Sequence, residues 1–423
     1  MTAQPPPVLP VLPAADRERL RDMARRVRDL AHAPANLERR GAWIALREGR
    51  PSRPMVLAED GGVRDRRPPF AHEPRCGGEE ARALERQLAH RLWWPSGIGD
   101  DSVETPFLDM AWRVDLGHYG AHAVTRHGDN AGHLGAYAWE PPVTDLRAQL
   151  DTLQPCRMSV DRGGTLARRA WLDEAVGDIL PTRLRGLPFW TLGLTMETIF
   201  LIGLEPLMLL MHDDPGSLHR LLEFQCAQWE RRLDWLEAEG LLGHNNENDY
   251  VGSGSRGWLP PGGGSDGQAP RWGDLWALSE SQETVGVGPA FFAEFIFPYQ
   301  RRLTARFGWL YYGCCEPVHA RWETLRKFPN LKAVSVAPWA DEEFMAGACA
   351  GAGVTYSRKP NPTLVSTARF DEDAIRADVA RTVRLAARAG AGLEIVMKDV
   401  HTLHEEPGRL RRWVELARGE CGC

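Results

Sequence analysis

Phe307-Gly308-Trp309-Leu310 is an apolar run that predicts a buried strand, and Tyr311-Tyr312-Gly313-Cys314-Cys315-Glu316-Pro317 follows it directly. The next segment, Val318 to Phe328, has a helical pattern. Two thiols and a carboxylate are therefore expected where a strand ends and the chain turns toward a helix. In an α/β barrel, catalytic residues lie at that end of the strands.

The same order of strand and helix repeats through the later half of the chain. Predicted strands at Leu331 to Val336, Val354 to Ser357 and Gly392 to Met397 are separated by predicted helices at Asp341 to Ala350 and Asp371 to Ala389. This alternation indicates a parallel sheet. The number of units favours a closed (β/α)8 barrel over an open sheet, and we see no periodic repeat that would indicate a solenoid.

Four segments are predicted along the chain. They are a disordered Pro-rich N-terminus (1–13), a helical N-terminal extension (14–100), the barrel (101–418) and a C-terminal tail (419–423). Within the barrel, Leu187 to Gly193 is a predicted strand and Thr198 to Met211 a predicted helix.

Composition indicates an ordinary cytoplasmic enzyme with a small-molecule substrate. The chain has 423 residues, 43% of them hydrophobic, and a net charge of −6, which argues against a dominant nucleic-acid surface. The longest apolar stretch, Thr198 to Met211, is too short for a membrane span and contains Glu205 and Pro206. The N-terminus lacks the pattern of a signal peptide. Eight irregularly spaced cysteines suit a reducing compartment better than a disulfide framework.

Two polar segments follow predicted strands. Gly243 to Tyr250 contains Asn245 and Asn246, which could orient a polar substrate, and Glu247 and Asp249, which could act in acid–base catalysis. The alternative is a solvated turn rich in Asn and Asp. The second segment, Ser279 to Glu283, offers Glu280 as a catalytic residue. A helix N-cap at Ser281 explains that segment equally well.

Lysine is scarce, since most of the 51 basic residues are Arg. Lys359 and Lys398 each stand at the end of a predicted strand, where a lysine can bind a substrate carboxylate or neutralise developing negative charge. Arg358 beside Lys359 supports an anionic substrate. The alternative is a structural salt bridge, to Asp399 or Glu394.

Several motifs resemble those of one known superfamily. They are Gly203-Leu204-Glu205 with His212-Asp213-Asp214-Pro215, Ile296-Phe297-Pro298-Tyr299, Tyr312-Gly313-Cys314-Cys315, Ser357-Arg358-Lys359-Pro360-Asn361-Pro362 and Lys398-Asp399-Val400-His401. On these segments, residues 165 to 418 resemble the uroporphyrinogen decarboxylase superfamily, which includes methylcobalamin:thiol methyltransferases and shares its barrel with zinc-dependent methionine synthases. The resemblance implies a barrel enzyme and a homodimer.

The chain also departs from that superfamily. No Arg-Gln-Ala-Gly-Arg-like segment is found near the N-terminus, so porphyrinogen decarboxylation is not expected. Tyr312 stands where methyltransferase members carry the His of a His-x-Cys zinc motif, which leaves Cys314 as the matched ligand and Tyr312 as a candidate substrate-binding residue. No cobalamin-binding domain accompanies the barrel, so any corrinoid is expected on a separate protein.

A zinc site can still be proposed from the residue types. A catalytic zinc needs three protein ligands and one open position. Cys314, His401 and either Cys315 or Glu316 could supply them. Because consecutive strand residues face opposite ways, only one of the two cysteines can point inward unless the loop bends. The alternative is two half-buried thiols without chemistry.

Three functions remain open from the sequence. The first is a zinc-assisted methyl or alkyl transferase that acts on a small thiol or a corrinoid partner. The second is a metal-independent lyase, such as a decarboxylase for a small carboxylate. The third is a non-catalytic barrel that binds a ligand.

Overall fold

The computed structural model describes residues 10–127, 137–186, 191–259 and 269–422. Its strands are β1 Met55–Ala58, β2 Leu108–Ala111, β3 Val114–Asp115, β4 Val124–His127, β5 Tyr137–Glu140, β6 Ser159–Val160, β7 Thr182–Arg185, β8 Tyr250–Gly252, β9 Ser255–Arg256, β10 Trp276–Ser279, β11 Trp309–Tyr312, β12 Leu331–Val336, β13 Thr355–Arg358 and β14 Leu393–Met397.

The helices are α1 Ala14–Ala31, α2 Pro34–Arg47, α3 Glu79–Gly97, α4 Leu146–Gln149, α5 Arg162–Val176, α6 Thr195–Ile202, α7 Leu204–Asp213, α8 Pro215–Ala238, α9 Pro289–Phe291, α10 Phe297–Thr304, α11 Trp322–Leu325, α12 Glu342–Ala352, α13 Thr363–Ser366, α14 Glu372–Ala389 and α15 Arg409–Glu420. A π-helical segment, Phe292–Ile296, joins α9 to α10. Short 3₁₀ turns cover Leu150–Thr152, Trp272–Asp274, Gln282–Thr284 and Val318–Arg321.

A parallel sheet of six strands forms the centre of the fold, in the order β1-β14-β13-β12-β11-β10. Every residue of β1, β10, β13 and β14 is buried, as expected for strands covered on both faces. The parallel sheet inferred from the strand–helix alternation is confirmed. β1 pairs with β14, so the sheet includes a strand from the segment predicted as the N-terminal extension.

A complete (β/α)8 barrel is not confirmed. Within the described residues the central sheet has six strands, with β1 and β10 at its edges. The Leu192 backbone N–H donates to the Leu278 carbonyl at 2.8 Å, which places residue 192 against the β10 edge. The strand predicted over Leu187 to Gly193 lies partly outside the described residues.

Residues 14–100 contain α1, α2 and α3, and α1 packs against α3 and α5 around Leu20, Leu88 and Trp171. The single helix predicted over Thr198 to Met211 is instead two, because Gly203 adopts φ 91° between α6 and α7. Among the described residues no single helix is long and apolar enough to cross a membrane; α6 and α7 pass such a test only as a pair bent by 97°.

The β8–β9 hairpin packs on side chains of the central sheet. A Cβ at Gly252 would lie 2.3 Å from the Tyr311 ring, and one at Gly254, which has φ 85°, would lie 2.6 Å from Val396. Glycine is therefore required at both positions, because any side chain would push the hairpin off the sheet. Beside the hairpin, Arg47 and Glu394 form a fully buried ion pair at 2.8 Å.

Candidate functional site

Five ionisable side chains follow the carboxyl ends of parallel strands and form what we call the strand-end cluster. Its members are Glu59 after β1, Glu280 after β10, Cys314 after β11, Lys359 after β13 and Lys398 after β14. In a parallel sheet these strand ends share one edge, so residues distant in sequence come close together. Four of the five were candidates from the sequence.

A thiol–ammonium pair lies at the centre of the cluster. The Lys398 Nζ is 3.5 Å from the Cys314 Sγ, 3.8 Å from the Cys315 Sγ and 2.7 Å from Oδ2 of Asp399. The two sulfurs are 3.6 Å apart. Both thiols reach the same ammonium because the chain has left the strand at Gly313, which adopts φ 96°. The bend removes the alternation that would have turned one cysteine away.

The surroundings of Cys314 favour its thiolate. A hydrogen bond from Cys315, opposed by burial and assisted by the Lys398 charge, lowers the pKa of Cys314 to about 7. The same hydrogen bond raises the pKa of Cys315. Burial alone would lower the pKa of Lys398, but the charges of the Cys314 thiolate and the Asp399 carboxylate raise it. Near neutral pH Lys398 is therefore an ammonium, and about half of Cys314 is a thiolate.

Glu316 fixes the loop that carries the thiols. Its two carboxylate oxygens accept hydrogen bonds from the backbone N–H groups of Cys314 at 2.9 Å and Ser281 at 3.0 Å. The Ser335 hydroxyl donates to the Cys314 carbonyl at 2.7 Å. Glu316 is buried and joins the loops after β10 and β11, so its role in this arrangement is to position Cys314.

Glu280 is a buried acid that retains its proton. Burial, followed by the charges of Glu283 and Glu316, raises the pKa of Glu280 to about 9. Its Oε2 accepts a hydrogen bond from the Gln282 backbone N–H, whereas its Oε1 has no hydrogen-bond partner among the described residues. A neutral carboxyl group with a free oxygen can donate a proton to a bound molecule.

Lys359 completes the cluster as a second buried amine. Its Nζ donates to the Ser357 hydroxyl at 2.6 Å and lies 5.6 Å from the centre of the Tyr311 ring. Burial lowers the pKa of Lys359 to about 8, although the carboxylate of Glu394 opposes the shift. Lys359 therefore stays mostly charged near neutral pH.

Glu59 was missed in the sequence analysis. Burial raises the pKa of its carboxyl group, with Arg256, Lys398 and Lys359 opposing the shift. The signal was present, because Glu59 directly follows the short apolar run Met55–Ala58. Assigning that run to the extension hid its place beside Lys398.

The predicted polar loop is not part of the strand-end cluster. Glu247 pairs with Arg183 at 2.7 Å, and Asp249 pairs with Arg185. The Asn245 side-chain amide exchanges two hydrogen bonds with the Trp276 backbone, as a strand neighbour would. Asn246 is buried, and its carbonyl accepts from Leu259. The side chains of this loop therefore connect it to β7 and β10.

Arg358 and Tyr312 are each bonded to a residue outside the cluster. Arg358 pairs with Glu342 at 3.0 Å, and the Tyr312 hydroxyl donates to Gln300 at 3.2 Å. Strand alternation explains both positions, because Lys359 and Tyr311 take the opposite face from these neighbours.

The predicted zinc ligands do not fit a zinc ion in this arrangement. Among the described residues no group of three or more His, Cys, Asp and Glu side chains is placed to hold a metal. The His401 side chain is exposed, both Glu316 oxygens accept backbone hydrogen bonds, and the Lys398 ammonium lies where a cation would bridge the sulfurs. The zinc site stays an untested prediction, and we derive no chemistry from it.

Comparisons with known proteins add little to this geometry. No protein-family model and no curated protein matches the chain. One similar solved structure is a methyltransferase from Methanosarcina mazei, with 10% identity, coverage of 90% of this chain and 98% of that chain, and a TM-score of 0.47. At these values the similarity supports no conclusion about activity. The resemblance to the uroporphyrinogen decarboxylase superfamily stays a prediction.

Proposed function

We propose that this chain is an alkyl-group transferase, with methyl as the group moved, and that Cys314 is the sulfur nucleophile that receives it. The observation that carries the proposal is the Lys398 ammonium 3.5 Å from the Cys314 sulfur. The thiolate, and not the thiol, is the nucleophile, and the hydrogen bond from Cys315 together with the neighbouring Lys398 cation favours it near neutral pH.

The first half-reaction uses Cys314 and Glu280. The Cys314 sulfur attacks the methyl carbon of a methyl ether or methylamine donor and forms an S–C bond. The bond from that carbon to oxygen or nitrogen breaks, and the leaving atom keeps the electron pair. That atom takes the proton of Glu280, so the donor leaves as a neutral alcohol or amine and Glu280 becomes a carboxylate.

The second half-reaction restores both residues. A small thiol gives its proton to the Glu280 carboxylate and attacks the methyl carbon. The bond between that carbon and Cys314 breaks, and the sulfur leaves as a thiolate beside Lys398. A thiolate of low pKa is the better leaving group. A corrinoid acceptor on a separate protein and a homodimeric assembly stay predictions.

A decarboxylase-type lyase is the second candidate. It is supported by the buried protonated Glu280 together with the Lys359 amine. Lys359 would bind the carboxylate of a small substrate, and Glu280 would protonate the carbon that loses CO2. This reaction does not use the Cys314 sulfur.

Methyl transfer from a panel of methyl ethers and methylamines to 2-mercaptoethanol, measured by mass spectrometry, tests the proposal. We expect Cys314→Ala to reduce the rate by at least about a thousandfold. The matched control is Cys349→Ala, because Cys349 is a buried thiol whose pKa burial raises to about 12. A chelator should leave the rate unchanged. A folded Cys314→Ala protein with full transferase activity contradicts the proposal, whereas CO2 release that survives this substitution identifies the lyase.

A further inference from the structure

A cavity of about 350 Å³ lies between α2, α3 and the β8–β9 hairpin. Its lining includes Arg39, Trp94, Asn248 and Arg256, and no member of the strand-end cluster is among its described lining residues. The volume falls within the roughly 300–1,000 Å³ typical of small-molecule sites.

Two guanidinium groups in this cavity form no ion pair with any residue that the structure describes. Arg39 and Arg256 each have a buried Nε without a hydrogen-bond partner, and neither forms an ion pair within the described part of the chain. A guanidinium stays charged in proteins, and buried charges are normally paired. Within the described residues carboxylate charge reaches these arginines without an ion-pair contact, from Asp100 and Asp101 at Arg39 and from Glu59 at Arg256.

The nearby carboxylates are already occupied. Asp101 accepts two hydrogen bonds from Arg53, at 2.7 and 2.8 Å, and Glu104 accepts from Arg91 at 2.9 Å. Asp100 accepts from the Trp94 indole N–H at 2.8 Å. None of these acids is in ion-pair contact with Arg39 or Arg256, and neither is Glu59, so a ligand carboxylate could make the direct contact that the described residues do not make.

The rest of the lining favours an organic ligand. Leu30, Ala33, Pro95 and Val103 provide apolar surface. The Asn248 side chain adds a buried amide whose oxygen has no partner among the described residues. A hydrated inorganic ion would make no contact with the apolar wall.

We propose that this cavity binds a small organic carboxylate, with its oxygens on Arg39 and Arg256 and its apolar body against Trp94. Planar guanidinium groups match carboxylate geometry with two parallel hydrogen bonds. The proposal concerns a site separate from the Cys314–Lys398 pair and does not depend on alkyl transfer.

Isothermal titration calorimetry of the full chain with benzoate, benzyl alcohol and inorganic phosphate tests this site. We expect benzoate to bind more tightly than either of the other two probes. Arg39→Gln and Arg256→Gln should each weaken benzoate binding by at least about tenfold, the loss expected for one charge-assisted hydrogen bond. Arg40→Gln is the matched control, because Arg40 is the next residue of α2, is exposed and does not line the cavity.

Several outcomes overturn the proposal. They are benzyl alcohol binding as tightly as benzoate, phosphate binding as tightly as benzoate, and unchanged benzoate affinity in both glutamine variants. The two arginines are changed in separate proteins, each checked by thermal unfolding, so that a folding defect in one leaves the other as the test. Absence of benzoate binding to the unmodified chain also overturns it.

Discussion

Replacing Lys398 by Met removes a positive charge 3.5 Å from the Cys314 sulfur while keeping a side chain of similar length. Opposite unit charges at that distance attract by roughly 5 kcal/mol at an effective dielectric constant of about 20. This is an upper limit, because Asp399 lies 2.7 Å from the same ammonium. One pKa unit corresponds to about 1.4 kcal/mol. We therefore expect the pKa of Cys314 to rise by at least about one unit from its value of about 7.

At pH 7 this shift reduces the thiolate fraction from about one half to about one tenth or less. The assay is the rate of iodoacetamide alkylation at Cys314 against pH, followed by peptide mass spectrometry. A Cys315→Ser background prevents alkylation of the neighbouring sulfur and keeps a hydroxyl that can donate to Cys314. We expect Cys314 to be alkylated more slowly in Lys398→Met than in the parent protein at pH 7. At high pH, where Cys314 is ionised in both proteins, the two rates should be equal.

Lys327→Met is the control, because Lys327 is one of the four lysines of the chain and its side chain is exposed. It should leave the alkylation profile unchanged. If the alkylation rate of a folded Lys398→Met protein rose with pH at the same midpoint as that of its parent, the Lys398 ammonium would not contribute to the Cys314 thiolate. A rate difference that persisted at high pH would show altered access to the sulfur instead of an altered pKa.

Three further predictions concern stability. Burial raises the pKa of Glu280 to about 9 in the folded chain, whereas the carboxyl group of the unfolded chain has its usual pKa of 4.5. Between these two pH values the folded chain holds a proton that the unfolded chain has lost. The contribution of Glu280 to stability therefore falls as the pH rises from 4.5 to about 9. Glu280→Gln should therefore raise the melting temperature, more at pH 8.5 than at pH 6, and an equal gain at both would contradict the raised pKa. Arg47→Met should cost about 3–5 kcal/mol in urea unfolding because it leaves the Glu394 charge buried without its partner, whereas a loss below about 1 kcal/mol would contradict that pairing. Gly254→Ala should lower the free energy of unfolding by about 1–3 kcal/mol, because its Cβ would lie 2.6 Å from Val396. Gly347→Ala is the control and should be neutral or stabilising, because a Cβ there meets nothing within 4 Å. Equal effects of the two substitutions would contradict the close packing of the hairpin.

The sequence was most informative where local pattern and tertiary position agree. The segment Leu331–Val336 forms β12 over the predicted residues, and Ala333 to Val336 are buried, as expected for a central strand of a parallel sheet. Cys314, Lys359 and Lys398 could be placed near one another for the same reason, since parallel strands end at one edge of the sheet. Their mutual distances depend on the turn at Gly313, which the residue pattern alone does not determine.

Pairing between distant segments limited the rest of the prediction. Glu247 and Asp249 looked available for chemistry, but Arg183 and Arg185 neutralise them from a strand about 60 residues earlier in the sequence. Glu59 lies inside the segment predicted as an N-terminal extension (14–100), but the strand before it, β1, pairs with β14 at the opposite end of the chain. Such contacts leave no local signal in either segment.

In the proposed reaction Cys314 carries the alkyl group between donor and acceptor. The most direct measurement is an NMR experiment with an isotopically labelled methyl donor and the full chain, first without and then with 2-mercaptoethanol. We predict an S-methyl signal on Cys314 that forms without the acceptor thiol and disappears when the thiol is added, as labelled methyl thioether appears. Transfer to the thiol without any labelled Cys314, or a labelled Cys314 that the thiol cannot discharge, would contradict the account.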